Sequence, residues 1–124
     1  MDILSNTFAA LQNAQSRGHL SVCVPFSSHT WNILLVLFVE GYIAGFRRQE
    51  TSIRIKLKYV GDRPGLTHLR RVSRRGKKMY TQGHRLPTLR QGLGSYILST
   101  PYGVVCDRDA ARLGIGGEVV AYVV

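Results

Sequence analysis

Between Ile53 and Tyr59 apolar and basic residues alternate without a break: Ile53-Arg54-Ile55-Lys56-Leu57-Lys58-Tyr59. Successive side chains leave a β-strand on opposite faces, so a strict period of two makes one face apolar and the other charged. This segment therefore reads as a half-buried antiparallel strand, with Ile53, Ile55, Leu57 and Tyr59 toward a core and Arg54, Lys56 and Lys58 toward water or phosphate. The preceding run Tyr42-Ile43-Ala44-Gly45-Phe46 supplies a partner, joined through the polar turn Arg47-Arg48-Gln49-Glu50, and the two form a hairpin.

Upstream, Ile3, Leu4, Thr7, Phe8, Ala9 and Leu11 recur at helical spacing, predicting a first helix that ends near Gly18. Leu20 to Val24 alternates and stops at Pro25, which cannot continue a ladder, so it is a short strand. Ser27 and Ser28 are caps for a second helix from Trp31 to Glu40, with Gly41 as its stop. That helix is almost wholly apolar, which predicts burial on most sides. The order helix, strand, helix, strand, strand describes a small two-layer α+β unit.

Gly61-Asp62-Arg63-Pro64-Gly65 is the densest turn cluster and the expected linker, dividing the chain into an N-terminal α/β domain (1–62) and a C-terminal β-rich domain (63–124). In the second, Leu66 to Ser73 and Lys77 to Thr81 flank Arg74-Arg75-Gly76 as a basic hairpin. One helical turn is expected over Leu86 to Gln91, broken by Gly92-Leu93-Gly94. Ser95 to Ser99 and Val104 to Cys106 pair across the turn Thr100-Pro101-Tyr102-Gly103. A short helix follows, with Asp107 as N-cap, Asp109 near its positive end, Arg112 near its negative end and Gly114 as stop. Glu118 to Val124 closes the chain as a strand. The fold class is α+β, with two small domains and a C-terminal part that is mostly antiparallel β with short helices.

Composition narrows the function. The chain has 124 residues, 17 Lys plus Arg against 7 Asp plus Glu, and a formal net charge of +10. Residues 47–90 alone hold fourteen of those bases and only Glu50 and Asp62 as acids. A density of this kind is the electrostatic footprint of a polyanion binder. Arg dominates over Lys, and a planar guanidinium forks onto phosphate and stacks on an unpaired base, which favours RNA over a membrane surface. The plain competing account is that basic side chains on strand edges keep a small sheet soluble. The longest apolar run, Ile33 to Val39, is far short of a bilayer span. Cys23 and Cys106 are too far apart for a close-spaced metal pair and too few for a disulfide scaffold, so both are expected to be reduced, buried thiols. Met1-Asp2-Ile3-Leu4-Ser5-Asn6 reads as neither an export nor an import signal, so the expectation is that the chain is made where it works or that its leader is missing.

The stretch Gly92-Leu93-Gly94, Ser99-Thr100-Pro101-Tyr102-Gly103-Val104, Asp107-Arg108-Asp109-Ala110-Ala111-Arg112, Leu113-Gly114-Ile115-Gly116-Gly117-Glu118 and Ala121-Tyr122-Val123 closely resembles the bacterial-type small-subunit ribosomal protein numbered eight. Arg71-Val72-Ser73-Arg74-Arg75-Gly76 with Tyr80, the pair Leu86-Pro87, Pro25 to Ser28, and Asp2 with Asn13 extend the resemblance over nearly the whole chain. It implies a two-domain structural protein that binds a helix in the central domain of small-subunit rRNA and supports subunit assembly, with no enzyme activity, no cofactor and no metal. The implied partners are that RNA and the neighbouring small-subunit proteins numbered two and five, with no membrane and no small-molecule substrate.

In the family the loop matching Ser99-Thr100-Pro101 inserts against irregular bases in the RNA minor groove, and the Gly116-Gly117-Glu118 turn lies alongside it. Small hydroxyl residues and bare backbone approach 2′-hydroxyls and base edges where long side chains cannot. The expected RNA-binding residues are Ser99, Thr100, Pro101, Tyr102 and Gly103 with Gly116, Gly117 and Glu118, then Arg74, Arg75 and Lys77 as phosphate holders. Tyr80 and Tyr102 are rings for stacking on a base or ribose, or for packing on their own sheet. Ser27, Ser28 and His29 complete the set.

The family usually has serine where Pro101 stands and a basic residue where Tyr102 stands, so shape and stacking replace a hydroxyl and a charge. The first helix lacks Pro after Asp2 and has Asn6, Ala10 and Gln12 where the family tends to carry an acid and two bases, while His29 and Trp31 replace lysines. These departures thin the RNA contacts of the N-terminal domain, and they suit a mitochondrial ribosome with synthesis inside the organelle, the alternatives being bacterial cytoplasm or plastid.

Rival chemistries are weakly supported. His19, His29, His68 and His84 could serve a nuclease, but no paired histidines, clustered carboxylates or nucleophile, base and orienter set accompany them. Cys106 lies in an alternating strand, which favours a core thiol over a reactive one. The glycine runs lack the strand, loop and long helix of a nucleotide fold. A regulatory RNA-binding protein outside the ribosome is the remaining alternative, because the site physics is shared.

Overall fold

A computed structural model describes residues 3–73, 76, 78–81 and 94–124. The chain divides into two compact units, 1–67 and 68–124. The Gly61–Gly65 cluster thus lies inside the first unit. Gly61 takes φ +63°, a left-handed conformation that glycine adopts without strain, and turns Tyr59–Val60 (β4) back onto Arg63–Pro64 (β5). The expected helical turn at Leu86–Gln91, the break at Gly92-Leu93, and Arg74, Arg75, Lys77 and His84 lie outside the described residues.

The N-terminal unit runs α1 (Ile3–Ser16), β1 (Ser21–Pro25), α2 (Ser28–Val39), β2 (Ile43–Gln49) and β3 (Ser52–Leu57), then the β4–β5 ribbon. Helix α1 buries Leu4, Phe8, Leu11 and Ala14, one stripe at helical spacing. It stops at Gly18 (φ +73°), where the His19 amide donates to the Ala14 carbonyl at 3.0 Å. The sheet order is β1-β3-β2, all antiparallel, so the alternating segment is the central strand. Its Ile53, Ile55 and Leu57 are buried while Arg54 and Lys56 are exposed.

Four local expectations are corrected here. The β2–β3 hairpin turns at Glu50-Thr51, with Glu50 at φ +52°, so Arg47 to Gln49 belong to the strand rather than the turn. Tyr59 lies beyond the end of β3 and is half-buried, because its hydroxyl donates to the His19 carbonyl at 2.6 Å instead of entering the core. Helix α2 buries Ile33, Leu34 and Leu37 but exposes Leu35, Phe38 and Val39, since a helix in a two-layer unit has a partner on one side only. Cys23 is exposed on the outer face of β1, whereas Cys106 is buried as a core thiol.

The C-terminal unit contains β6 (Leu69–Arg71), β7 (Tyr80–Thr81), β8 (Ser95–Thr100), β9 (Gly103–Cys106), α3 (Asp107–Leu113) and β10 (Gly117–Val123). The sheet order is β6-β10-β8-β9, with β7 also on β10. The expected basic hairpin is therefore corrected: β6 pairs with Ala121–Val123 and β7 with Gly117–Glu118, both antiparallel to β10. They run in the same direction as two pieces of one interrupted edge strand. Ser73, 1% exposed, ties the two pieces together: the Met79 amide donates to Ser73 Oγ at 2.8 Å, and that hydroxyl donates to the Met79 carbonyl at 3.2 Å. A local hydroxyl satisfying two backbone groups competes with a hairpin ladder.

Helix α3 packs Ala110 against Leu98 and Val119. Its N-cap is Cys106 with no side-chain cap bond, and Asp107 falls one residue inside, its carboxylate accepting from the Arg108 amide at 2.8 Å. Gly114 ends the helix at φ +70°, and Arg112 meets Asp109 at 2.8 Å. A bulge between Val119 and Ala121 puts these residues on opposite faces of the sheet, opposite Leu98 and Ile97 respectively. Among the described residues no helix is long and apolar enough to cross a membrane.

Candidate nucleic-acid interface

The β8–β9 hairpin ends in a tip that satisfies its own polar groups. Thr100 Oγ1 accepts from the Tyr102 amide at 3.2 Å and donates to the Gly103 carbonyl at 2.7 Å. Gly103 holds φ +123°, a region that side chains oppose, and Pro101 stiffens the tip through its locked φ. A hydroxyl has one proton and two lone pairs. Thr100 spends the proton and one lone pair on shaping the tip, which leaves a single lone pair for an outside partner. Pro101, Tyr102 and Gly103 are exposed, Tyr102 by 80%.

The start of β10 lies against this tip because nothing larger than glycine fits. A Cβ at Gly117 would collide with the Ser99 carbonyl oxygen and stand 3.1 Å from the Thr100 Cα. Glu118 pairs with Ser99 on one side and Tyr80 on the other, and Ser99 pairs in turn with Val104. Directly opposed residues share a face. Tyr80, Glu118, Ser99 and Val104 thus form one row across four strands. Tyr80 is 70% exposed, so neither it nor Tyr102 is packed down on the sheet.

Lys78 and Met79 join the same end of the sheet. The Val119 amide donates to the Met79 carbonyl at 2.7 Å, and Lys78 Nζ lies 3.5 Å from the Glu118 carboxylate. The structure thus brings together Ser99 to Gly103, Gly117, Glu118 and Tyr80, with Gly116 adjoining. Sequence reasoning passed over Ser73, Lys78 and Met79. Their signal was a small hydroxyl residue before four bases in the next five residues, which gains meaning only once β10 is known to lie beside Met79. Ser27 to His29 lie apart, in the N-terminal unit. Ser27 is the N-cap of α2, its oxygen accepting from the Thr30 amide at 3.2 Å, while Ser28 and His29 are exposed on the first turn.

A small basic α+β protein with a rigid, side-chain-poor tip beside a glycine-opened strand has the build of a polyanion-binding module rather than of an enzyme. Residues 2–124 match the family model described as Ribosomal protein S8. The small ribosomal subunit protein uS8 of Erythrobacter litoralis is 40% identical, over 98% of this chain and 96% of that protein. Its namesake from Leptothrix cholodnii is 41% identical over the same shares, and that from Mycoplasmopsis pulmonis 35%. The chain belongs to the ribosomal protein S8 family, a family of ribosomal structural proteins and not of enzymes.

Proposed function

We propose that the chain is a structural constituent of the small ribosomal subunit that binds a helix in the central domain of small-subunit rRNA and supports subunit assembly. The observation that carries this reading is the pairing of the Ser99–Gly103 tip with Gly117 and Glu118. The tip is preshaped by Thr100, and Gly117 leaves room for backbone to meet a ribose face. Preorganised backbone with small side chains reads the shallow RNA minor groove by shape. Tyr80 and Tyr102 supply exposed rings for stacking. Arg74, Arg75 and Lys77 follow Ser73 in the sequence, and such cations position RNA without reading its sequence.

The test separates those two roles. Reversing the charge at Arg74 and Arg75 weakens binding to every RNA and flattens its salt dependence, while Thr100→Trp harms the specific helix most. Equal losses on the central-domain helix and on random RNA would remove the tip from recognition. Pure protein incubated with labelled RNA leaves it intact; cleavage products would revive a nuclease.

The finer placement is also proposed: an organellar, mitochondrial member, touching the small-subunit proteins numbered two and five. It rests on His29 and Trp31 standing where lysines are usual and on the sparse charge of α1. The named relatives are bacterial, and bacterial cytoplasm fits them equally. Sedimentation in high salt after compartment fractionation decides: mitochondrial small subunits carry the protein if the placement holds, and a free pool would favour a regulatory RNA-binding role.

A further inference from the structure

Both helices leave one face of the N-terminal sheet uncovered, and its composition is unusual. Register places nine residues on that face in three rows: Ser21, Lys56 and Gly45; Cys23, Arg54 and Arg47; Pro25, Ser52 and Gln49. None is buried and none is acidic. Arg54 and Arg47 stand directly opposite one another, an arrangement in which like charges destabilise a strand pair. Among the described residues no carboxylate bridges Arg47, Arg54 or Lys56, and Arg54 has only a 3.3 Å bond to Ser21 Oγ. Protection of sheet edges does not account for this, because Arg54 and Lys56 lie on the central strand.

Between the cations the face is hollow. Gly45 has open space where a Cβ would stand, and with Leu20 (78% exposed), Phe46 and the three bases it lines a depression of about 420 Å³. That is within the range of about 300–1,000 Å³ usual for small-ligand sites. Phe46 pairs with buried Ile55 and its ring packs on Trp31 at 4.6 Å on the covered face, so it gives the hollow only backbone. A glycine hollow inside a ring of cations suits a base with its phosphates. A local rule broken without internal compensation marks a site completed by a ligand.

We infer that the open face of the β1-β3-β2 sheet is a second RNA site, which takes a single-stranded segment with phosphates on Arg47, Arg54 and Lys56 and one unpaired base over the depression at Gly45. The inference rests on the RNA-binding reading only for its class of ligand. It returns RNA contact to the unit where the departures at Asn6, Ala10, Gln12, His29 and Trp31 remove it.

Cys23 provides the test, being an exposed thiol in the Arg54–Arg47 row, while Cys106 is buried. Iodoacetamide alkylation of Cys23 in the full chain is followed by mass spectrometry, with and without an oligouridine. At ten times the dissociation constant, site occupancy slows alkylation about tenfold. The triple variant Arg47→Gln, Arg54→Gln, Lys56→Gln abolishes that protection and lowers the salt slope by about 2, at about 0.7 per phosphate contact on single strands. Circular dichroism shows the variant folded, since the change removes repulsion; Arg54→Gln alone gives the same direction at smaller size.

Bound RNA that leaves Cys23 as reactive as in free protein overturns the inference while the hairpin-tip reading stands. Protection in assembled subunits but not by RNA alone makes the face a protein interface and overturns it too. Conversely, Cys23 protection by oligouridine in a protein whose Thr100→Trp change costs nothing on the central-domain helix supports this site and refutes the tip.

Discussion

The two larger sheets of this molecule present opposite kinds of polar surface. The outer face of the N-terminal sheet is rich in long cationic side chains, Arg47, Arg54 and Lys56, around a hollow at Gly45. The end of the C-terminal sheet is short of side chains altogether, its tip held by Thr100 and its neighbour reduced to Gly117. Charge acts over several ångströms and tolerates many geometries, so the first surface suits affinity. Backbone and small groups act only in contact, so the second suits discrimination by shape. The contrast predicts that salt weakens the first more than the second.

The largest expected effects come from the cores beneath the two surfaces. Ile55→Ala and Leu98→Ala each remove a fully buried side chain and cost about 2–5 kcal/mol. Amide exchange checks whether each loosens its own unit; equal loosening of both units by either change would break the comparison. Next, Gly117→Ala forces β10 away from Ser99, at a cost of about 1–3 kcal/mol. Affinity for the central-domain helix falls by about tenfold or more, at 1.4 kcal/mol per decade, while oligouridine binding holds. A parallel loss of both in filter-binding titrations would show that the tip does not discriminate.

Smaller again is Thr100→Val, which removes the bonds to Tyr102 and Gly103 and costs about 1 kcal/mol, read as a lower melting temperature and a several-fold weaker specific complex. Least is Lys78→Gln. Its partner Glu118 lies 3.5 Å away in a solvent-accessible pair, so stability changes by no more than about 1 kcal/mol. A larger drop in thermal unfolding would mean that Lys78 helps to hold β7 on β10.

Much of this was legible in the residues. The order α1, β1, α2, β2, β3 follows from periodicity, and stops at Gly18, Gly41 and Gly114 follow from the left-handed conformations they adopt. The tip residues were named through the family resemblance of residues 92 to 123, and only the fold shows that they share one end of a sheet with Gly117 and Glu118. The basic hairpin was misread because two short runs flanking Arg74-Arg75-Gly76 look identical whether they pair with each other or with a third strand. Cys23 was misplaced because an alternating pattern tells which residues share a face but not which face a helix covers.

What local sequence decides here is whatever depends on near neighbours: helix spacing around Leu4 to Ala14, the alternation of Ile53 to Leu57, the caps and turns, and a net charge of +10 that calls for an anionic partner. What tertiary structure alone decides is which distant segments share an edge. β10 collects β6, β7 and β8, and its bulge at Val120 sends Val119 and Ala121 to opposite faces. Pairing across strands depends on hydrogen bonds and packing between residues far apart in the chain, and no run of neighbours encodes those.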